Sequence, residues 1–275
     1  MGIRHMFWGA ALAAALSATL VAQQTPPATQ QMQNEFYRVA CVKVTPGKSA
    51  DFSALVNGDM RKLEQAEVNS GRLSHWSALH ASVPAGSEAE CDYRFAYFFP
   101  GLPPAPMSDE EFAAALQKAG INMTPQQWGD RLGGVGTLVY SSINRRVASV
   151  GGPKEGDYVV INDMSVSNTD EWIGDEKKLW QPLFEDGVKD GVMDGWSVGV
   201  QFMPRGAKDP HRFYTVDIYP NWESVFTFFG PGFPDRWKKV HPDVPIEYGM
   251  AQEEKVETIE HTTLYKVVAV VQASK

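Results

Sequence analysis

GRLSHWS, at Gly71–Ser77, returns 120 positions later as GVMDGWS, at Gly191–Ser197. Each copy follows a segment with helical apolar periodicity and precedes a segment with the alternation of a β-strand. With the same shift and no gap, matching residues fall in several elements, as in the pairs Val39 and Val159, Phe52 and Trp172, Trp76 and Trp196, and Pro100 and Pro220. These matches indicate an internal duplication.

Both halves of the chain predict the element order β-α-β-β-α-β. In the first half, 35–150, the predicted strands are 36–44, 73–81, 92–99 and 136–150, and the helices are 49–69 and 108–120. In the second half, 151–275, the strands are 158–166, 196–203, 211–219 and 260–272, and the helices are 168–188 and 221–229. This order is that of the ferredoxin-like unit, whose antiparallel sheet leaves one face bare of helices.

A duplicated chain can bury the bare face of each sheet against its twin. This plan, over residues 36–272, resembles the dimeric α+β barrel superfamily, here fused in tandem. The superfamily includes small antibiotic-biosynthesis-type monooxygenases, NIPSNAP-like proteins, chlorite dismutases and dye-decolourising peroxidases. The resemblance implies an α+β fold in which two tandem ferredoxin-like βαββαβ units form a pseudo-dimeric α+β barrel. It rests on element order and therefore implies a fold rather than a reaction.

Composition is that of an ordinary globular protein and narrows the range of partners. The chain has 275 residues, of which 43% are hydrophobic and 21% are charged, and this length allows a substantial core. The net charge is −8. Nucleic acids and anionic membrane surfaces attract basic patches, so we expect neither as a partner.

The first 22 residues have the order of a secretory signal peptide. Arg4 and His5 precede an uncharged apolar run, Met6–Ala22, and a polar stretch with two prolines follows. We predict cleavage after Ala22, a disordered tether at 23–34, and a periplasmic or secreted protein without stable membrane insertion. The alternative is an uncleaved anchor, because the run is near the lower length limit for crossing a bilayer.

Strand alternation divides the side chains between the two faces of each sheet. We assign positions that are apolar in both copies to the helix side, which places Trp76 and Trp196 under the helices. The opposite parity then lines the barrel lumen. Its polar members are three candidate catalytic residues, His75, Asp217 and Tyr97, and five candidate ligand-binding residues, Ser77, Ser197, Asn162, Arg38 and Tyr158.

A lumen with a few polar groups among aromatic side chains is typical of a small-molecule pocket. His75 with Asp217 would form an oriented base, and Tyr97 would donate a hydrogen bond to an oxyanion. Gly195 and Gly199 stand where the first copy has His75 and Leu79, which would open space beside one copy only. The alternative is a packed seam in which these polar groups satisfy one another.

The chain has two cysteines, Cys41 and Cys91. In the fold that the resemblance implies, their strands are antiparallel neighbours, and export permits disulfide formation. We therefore predict a disulfide. The alternative is a pair of buried thiols that pack as small hydrophobic side chains.

Neither a metal site nor a cofactor is predicted. His75 and His80 point to opposite faces of one strand, and the remaining histidines are scattered. The acidic run Asp186–Gly195 lacks the ligand pattern of an EF-hand loop and is better explained as a helix end and a turn. Members of the superfamily hold haem, but neither predicted second helix contains a histidine for its iron.

The function expected from these observations is an exported tandem barrel that binds a small, partly aromatic molecule between its halves. Cofactor-free monooxygenase-like chemistry would suit the candidate residues. The alternative is a non-catalytic envelope or stress-related protein with a filled barrel and protein partners. The sequence leaves the oligomeric state open.

Overall fold

The computed structural model describes residues 35–206 and 213–273. The predicted signal peptide, 1–22, and the predicted tether, 23–34, lie outside the described residues. Among the helices that are described, each is too short or too polar to span a membrane.

Eight antiparallel strands close into one barrel in the order β1-β3-β2-β8-β5-β7-β6-β4. The strands are β1 Glu35–Val44, β2 His75–Val83, β3 Tyr93–Phe98, β4 Gly136–Gly151, β5 Tyr158–Val166, β6 Gly195–Met203, β7 Phe213–Tyr219 and β8 Glu257–Gln272. The predicted fold, two tandem ferredoxin-like units that form a pseudo-dimeric α+β barrel, is confirmed.

The barrel closes where the two halves meet. Within each half the sheet order is that of a ferredoxin-like unit, β4-β1-β3-β2 in the first and β8-β5-β7-β6 in the second. β2 then pairs with β8, and β4 pairs with β6. Every edge strand of one half is thus covered by an edge strand of the other, which leaves no open sheet edge.

Apart from one 3₁₀ turn at Gly86–Glu88, seven helices cover the outside of the barrel in the described ranges. Helix α1, at 49–69, comprises α-helical Ser49–Leu55 and Arg61–Asn69 around a π-helical turn, Val56–Met60; α2 is Asp109–Lys118 and α3 is Pro125–Val135. Helix α4, at 169–189, comprises Thr169–Asp175 and Gln181–Lys189 around a π-helical turn, Glu176–Trp180; α5 is Trp222–Thr227, α6 is Phe233–Val240 and α7 is Ile246–Val256. The π-helical turn occurs in both copies at positions 120 apart, which supports the duplication.

Three of these helices were not expected from the sequence: α3, α6 and α7. The start of α3 carried a usable signal, because Thr124 and Gln127 form a capping box and Pro125 occupies the first helical turn. Gly133 and Gly134 argued against a helix at this position, because glycine is unfavourable in a helix interior. The equivalent α7 ends directly at β8, as α3 does at β4.

Buried side chains form three clusters. One lies between the first-half sheet and its helices and is centred on Phe52, Trp76 and Phe95. A second, with Trp172, Trp180 and Trp196, lies under the second-half helices. The third fills the barrel lumen with side chains from both halves.

Cys41 and Cys91 form a disulfide, with their Cα atoms 5.2 Å apart. Cys41 lies on β1 opposite Arg94 of β3, and Cys91 lies just before β3. The bond therefore ties the loop that enters β3 to the neighbouring strand.

We expect replacement of both cysteines by alanine to lower the free energy of unfolding by about 2–4 kcal/mol, because the bond closes a loop with a sequence separation of 50. Urea unfolding of the double variant and of the native protein measures the difference. Thiol titration of the unfolded, unreduced protein is the control. Two titratable thiols in that control would contradict the bond.

Candidate functional site

The two faces of the sheet differ from the prediction in strands β1, β3, β5 and β7. Val39, Phe98, Val159 and Ile218, expected under the helices, lie in the lumen cluster instead. The reason is physical: both faces of the sheet are buried, the inner one by the other half and the outer one by the helices, so apolar character in both copies does not distinguish them. In β2 and β6 the prediction was right, because Trp76 and Trp196 pack under the helices.

This reversal separates the predicted catalytic residues. His75 is on the lumen side, where its ring stacks on Phe98 at a centroid distance of 3.8 Å. Tyr97 belongs to the core under the first-half helices. Asp217 lies on the equivalent face of the second half, since it shares the parity of Phe213 and Tyr219. The expected set of His75, Asp217 and Tyr97 is therefore wrong as a single site.

The predicted ligand-binding residues are also divided. Ser77 and Ser197 line a small residual cavity in the lumen. Asn162, on the outer face, donates to Thr215 Oγ1 at 3.1 Å and accepts from Thr262 Oγ1 at 2.7 Å. The two remaining residues also make contacts on the outer face. Lys266 Nζ lies 3.7 Å from the ring centroid of Tyr158. Arg38 Cζ lies 4.1 Å from the ring centroid of Tyr97.

The lumen is packed rather than open. Its residual cavity measures about 70 Å³, whereas a dry protein cavity that holds benzene measures about 150 Å³. The space expected beside Gly199 is filled, because a Cβ there would come within 2.3 Å of both Tyr37 and Tyr214. A Cβ on Gly195 would come within 2.8 Å of backbone atoms of Val150 and Gly152. A partly aromatic molecule therefore does not fit between the halves.

Charged groups within the lumen are paired. Arg94 of β3 forms a buried ion pair with Asp163 of β5 at 3.2 Å and donates to Tyr140 Oη at 2.6 Å. The pair crosses from one half to the other. Burial lowers the pKa of His75 to about 3, and nearby Arg146 contributes in the same direction, so its imidazole is neutral at physiological pH.

Larger spaces lie on the other side of the sheet, under the first-half helices. The Phe52 cleft, of about 370 Å³, is lined mainly by apolar residues of the sheet, α1 and α3, including Ala40, Phe52, Met60, Phe95 and Leu132. The Glu64 cleft, of about 420 Å³, lies between α1, α2 and the loop at 103–107, and its lining includes Glu64, Glu67, Arg72 and Phe112. Arg38 and Tyr97 line both clefts and so form their common wall.

Two ionisable groups at or beside the common wall, Glu64 and Tyr97, have pKa values well above their ordinary ones. Burial raises the pKa of Glu64 to about 8, although the Arg38 guanidinium opposes this effect. Burial raises the pKa of Tyr97 to about 12, with the Glu64 charge contributing. A cation, a phenol and a carboxyl that titrates near neutral pH thus meet at the border of an apolar cleft. Such a group can bind an anionic aromatic molecule and exchange a proton with it.

Two of these three residues, Arg38 and Tyr97, were expected in a site, though on the other face of the sheet. Glu64 was missed, because one glutamate on an amphipathic helix normally faces solvent. A signal was present: Glu64 directly follows Leu63 of the apolar face of α1 and precedes Glu67 by one helical turn. Metal or haem ligation by histidine has no candidate in the lining of either cleft.

Comparison with solved structures finds this fold in proteins of unrelated sequence. A putative monooxygenase from Fusobacterium nucleatum matches with a TM-score of 0.53 and 9% identity, over 88% of this chain and 96% of that chain. A putative monooxygenase from Lactobacillus acidophilus matches with a TM-score of 0.48 and 8% identity, over 87% of this chain and 97% of that chain. No known family profile and no curated protein matches the sequence.

The chain therefore has the fold of the dimeric α+β barrel superfamily, with both halves of the barrel in one polypeptide. At 9% identity the likeness establishes the fold alone. The features that bear on function are the residues that line the Phe52 cleft and the Glu64 cleft.

We expect Glu64→Gln to stabilise the protein, and to do so more at high pH. The pKa of this carboxyl is about 8 in the fold against an ordinary 4.5, so its contribution to native stability is greatest below pH 4.5 and falls as pH rises toward 8. Glutamine removes this loss, which is about 5 kcal/mol at the most. Urea unfolding at pH 5 and pH 9 measures it.

The matched control is Glu110→Gln, which removes an exposed glutamate of α2. It should leave the pH dependence of the native protein unchanged. An identical pH dependence in native protein and Glu64→Gln would show that Glu64 ionises normally in the fold.

Proposed function

We propose that this protein binds a small, partly aromatic, anionic molecule between the first-half sheet and its helices. The ring occupies the Phe52 cleft, and the anionic group pairs with Arg38 at the common wall. The observation that carries the proposal is the position of Arg38 and Tyr97 on both clefts, beside a lumen that is too small for such a molecule.

The dimensions and chemistry of the clefts support this ligand class. Volumes of about 370 and 420 Å³ fall in the range of small-molecule sites, which are mostly apolar with a few polar groups that fix orientation. Arg38 is exposed at the cleft mouth, so its guanidinium is available to a ligand that enters from solvent. Export of the protein, expected from 1–22, would make the ligand an extracytoplasmic one.

For chemistry, we propose proton removal from a hydroxyaromatic ligand, with Glu64 as the base. Its raised pKa of about 8 makes it a stronger base than an ordinary carboxylate. Loss of the hydroxyl proton would make the ring electron-rich enough to react with dioxygen without a cofactor: the ligand would be oxidised to a quinone that keeps one oxygen atom, and the other oxygen atom would leave as water. The name of the Fusobacterium nucleatum protein with the same fold agrees with this class of reaction.

A second candidate function is a non-catalytic protein with a filled barrel and protein partners. The packed lumen favours it, and so do the exposed aromatic side chains of α5 and the residues after it, Trp222, Phe226 and Phe229. In this case the clefts would be too loosely formed to bind a ligand with saturation.

Titration with the anionic aromatic fluorophore 8-anilinonaphthalene-1-sulfonate tests the proposal. We expect saturable binding of one molecule per chain. Gly133→Phe should weaken it at least tenfold, because Gly133 lines the Phe52 cleft and its added Cβ meets no atom within 4 Å. Arg38→Met should weaken it about tenfold through loss of a charge-assisted hydrogen bond.

Matched controls locate the site. Gly134→Phe places the same ring one residue away, outside the lining of either cleft, and Arg61→Met removes an exposed cation of α1. His75→Phe alters the lumen side. All three should bind the probe as the native protein does. Non-saturable binding, or loss of binding in His75→Phe alone, would contradict the proposal, and the former would favour the non-catalytic alternative.

A further inference from the structure

The second half carries a different set of residues at the place where the first half has the Phe52 cleft. Helix α7 and strand β8 repeat α3 and β4 with a shift of 121 positions. Leu132 and Gly136, which line the cleft, correspond to Glu253 and Glu257, and Tyr97 corresponds to Asp217. The apolar wall of one copy is thus replaced by carboxylates in the other.

A third glutamate completes this group from the helix above. Glu176 begins the π-helical turn of α4, and π-helical turns are frequent at functional sites. Glu176, Glu253 and Glu257 each present a carboxylate oxygen, and these oxygens all lie within 4.8 Å of one another. We call these three residues the carboxylate cluster.

The surroundings orient the carboxylate cluster without neutralising it. Trp172 Nε1 donates to Glu257 Oε2 at 2.6 Å, and Trp180 Nε1 donates to Glu253. Glu253 and Glu257 are also joined by a side-chain hydrogen bond, so their carboxyl groups are in direct contact. Within the described residues, no lysine or arginine forms an ion pair with any member of the cluster.

A fourth carboxylate comes independently from the sheet. Asp217 on β7 is only 5% exposed and makes no hydrogen bond or ion pair with the residues that the structure describes. Its first-half equivalent, Tyr97, lines the Phe52 cleft together with Leu132 and Gly136, the equivalents of Glu253 and Glu257, so Asp217 lies in the same layer of the fold as the carboxylate cluster. Asp175, the residue before Glu176, has a buried Oδ2 atom that lacks a hydrogen-bond partner in the described ranges. Buried carboxylates without an ion-pair partner are costly unless they are protonated or a cation lies between them.

We propose that the carboxylate cluster, with Asp217, binds a hard divalent cation of the Ca²⁺ or Mn²⁺ type. All the donors are carboxylate oxygens, which such cations prefer. A Ca²⁺ ion at about 2.4 Å from each ligand places opposed oxygens about 4.8 Å apart, whereas Mg²⁺ requires about 4.2 Å. The three cluster oxygens all lie within 4.8 Å of one another, so a single ion of this type can reach all of them.

No pattern in the sequence indicates this site. Its ligands come from α4, α7 and β8, and α7 itself was not expected. The acidic run that invites a calcium interpretation, Asp186–Gly195, lies elsewhere, and there Arg236 pairs with Asp186 and Asp190.

Terbium luminescence tests the site directly, with protein first dialysed against EDTA. Tb³⁺ has the ligand preference of Ca²⁺, and the indoles of Trp172 and Trp180 contact the cluster. We expect tryptophan-sensitised, saturable Tb³⁺ emission that CaCl₂ displaces. Calorimetric titration with CaCl₂ and MnCl₂ should give dissociation constants below about 1 mM, with a rise in Tm of about 5 °C near 100 times that constant.

Substitutions separate a cation site from a merely structural cluster. Glu176→Gln and Glu257→Gln should each weaken cation binding at least tenfold, and each should raise the Tm of the cation-free protein because like charges are relieved. Glu254→Gln, an exposed neighbour on α7, is the matched control and should change neither property. Absence of saturable binding of all three ions, or unchanged binding in both cluster variants, would overturn the proposal.

Discussion

Pairing of β4 with β6 and of β2 with β8 is the constraint on which the rest of this structure depends. Each ferredoxin-like half alone would have two open edges and one bare face. Closure removes both problems at once, because the bare faces turn inward and bury each other. Closure also narrows the lumen to a cavity of about 70 Å³, so the buried polar groups inside depend on partners within the protein. The Arg94–Asp163 ion pair between the halves is one such solution.

The narrow lumen leaves the helix-facing side of the sheet as the place where the two copies could diverge. In the first half, small or apolar residues of α3 and β4 leave the Phe52 cleft open beside Arg38 and Tyr97. In the second half, the aromatic rings of Trp180, Phe233 and Trp237 pack against one another and fill much of the corresponding layer. The carboxylate cluster occupies the position equivalent to the cleft wall. One duplicated framework thus supports an organic ligand site and a cation site, by our proposals.

The sequence predicted the fold well because duplication and strand order are carried by many residues at once. A repeated glycine and tryptophan, as at Gly71 and Trp76, indicates the same turn and strand in both copies. The sequence was a poor guide to the site because that question depended on one assumption, that positions apolar in both copies lie under helices. Both faces are buried in this fold, the lumen against the other half and the outer face against the helices, and the parity of Val39 and Phe98 followed the lumen. Arg38 and Tyr97 were found by this reasoning, whereas Glu64 and the carboxylate cluster depend on helix packing that alternation cannot show.

The most direct test of the central claim is a crystal structure of the protein soaked with a small anionic aromatic molecule such as 2-naphthoate. The claim is that ligands bind under the first-half helices and that the lumen is closed. It predicts electron density for the ring against Phe52 and Leu132, with the carboxylate beside Arg38. Density for the ring in the lumen, between Ser77 and Ser197, would contradict it.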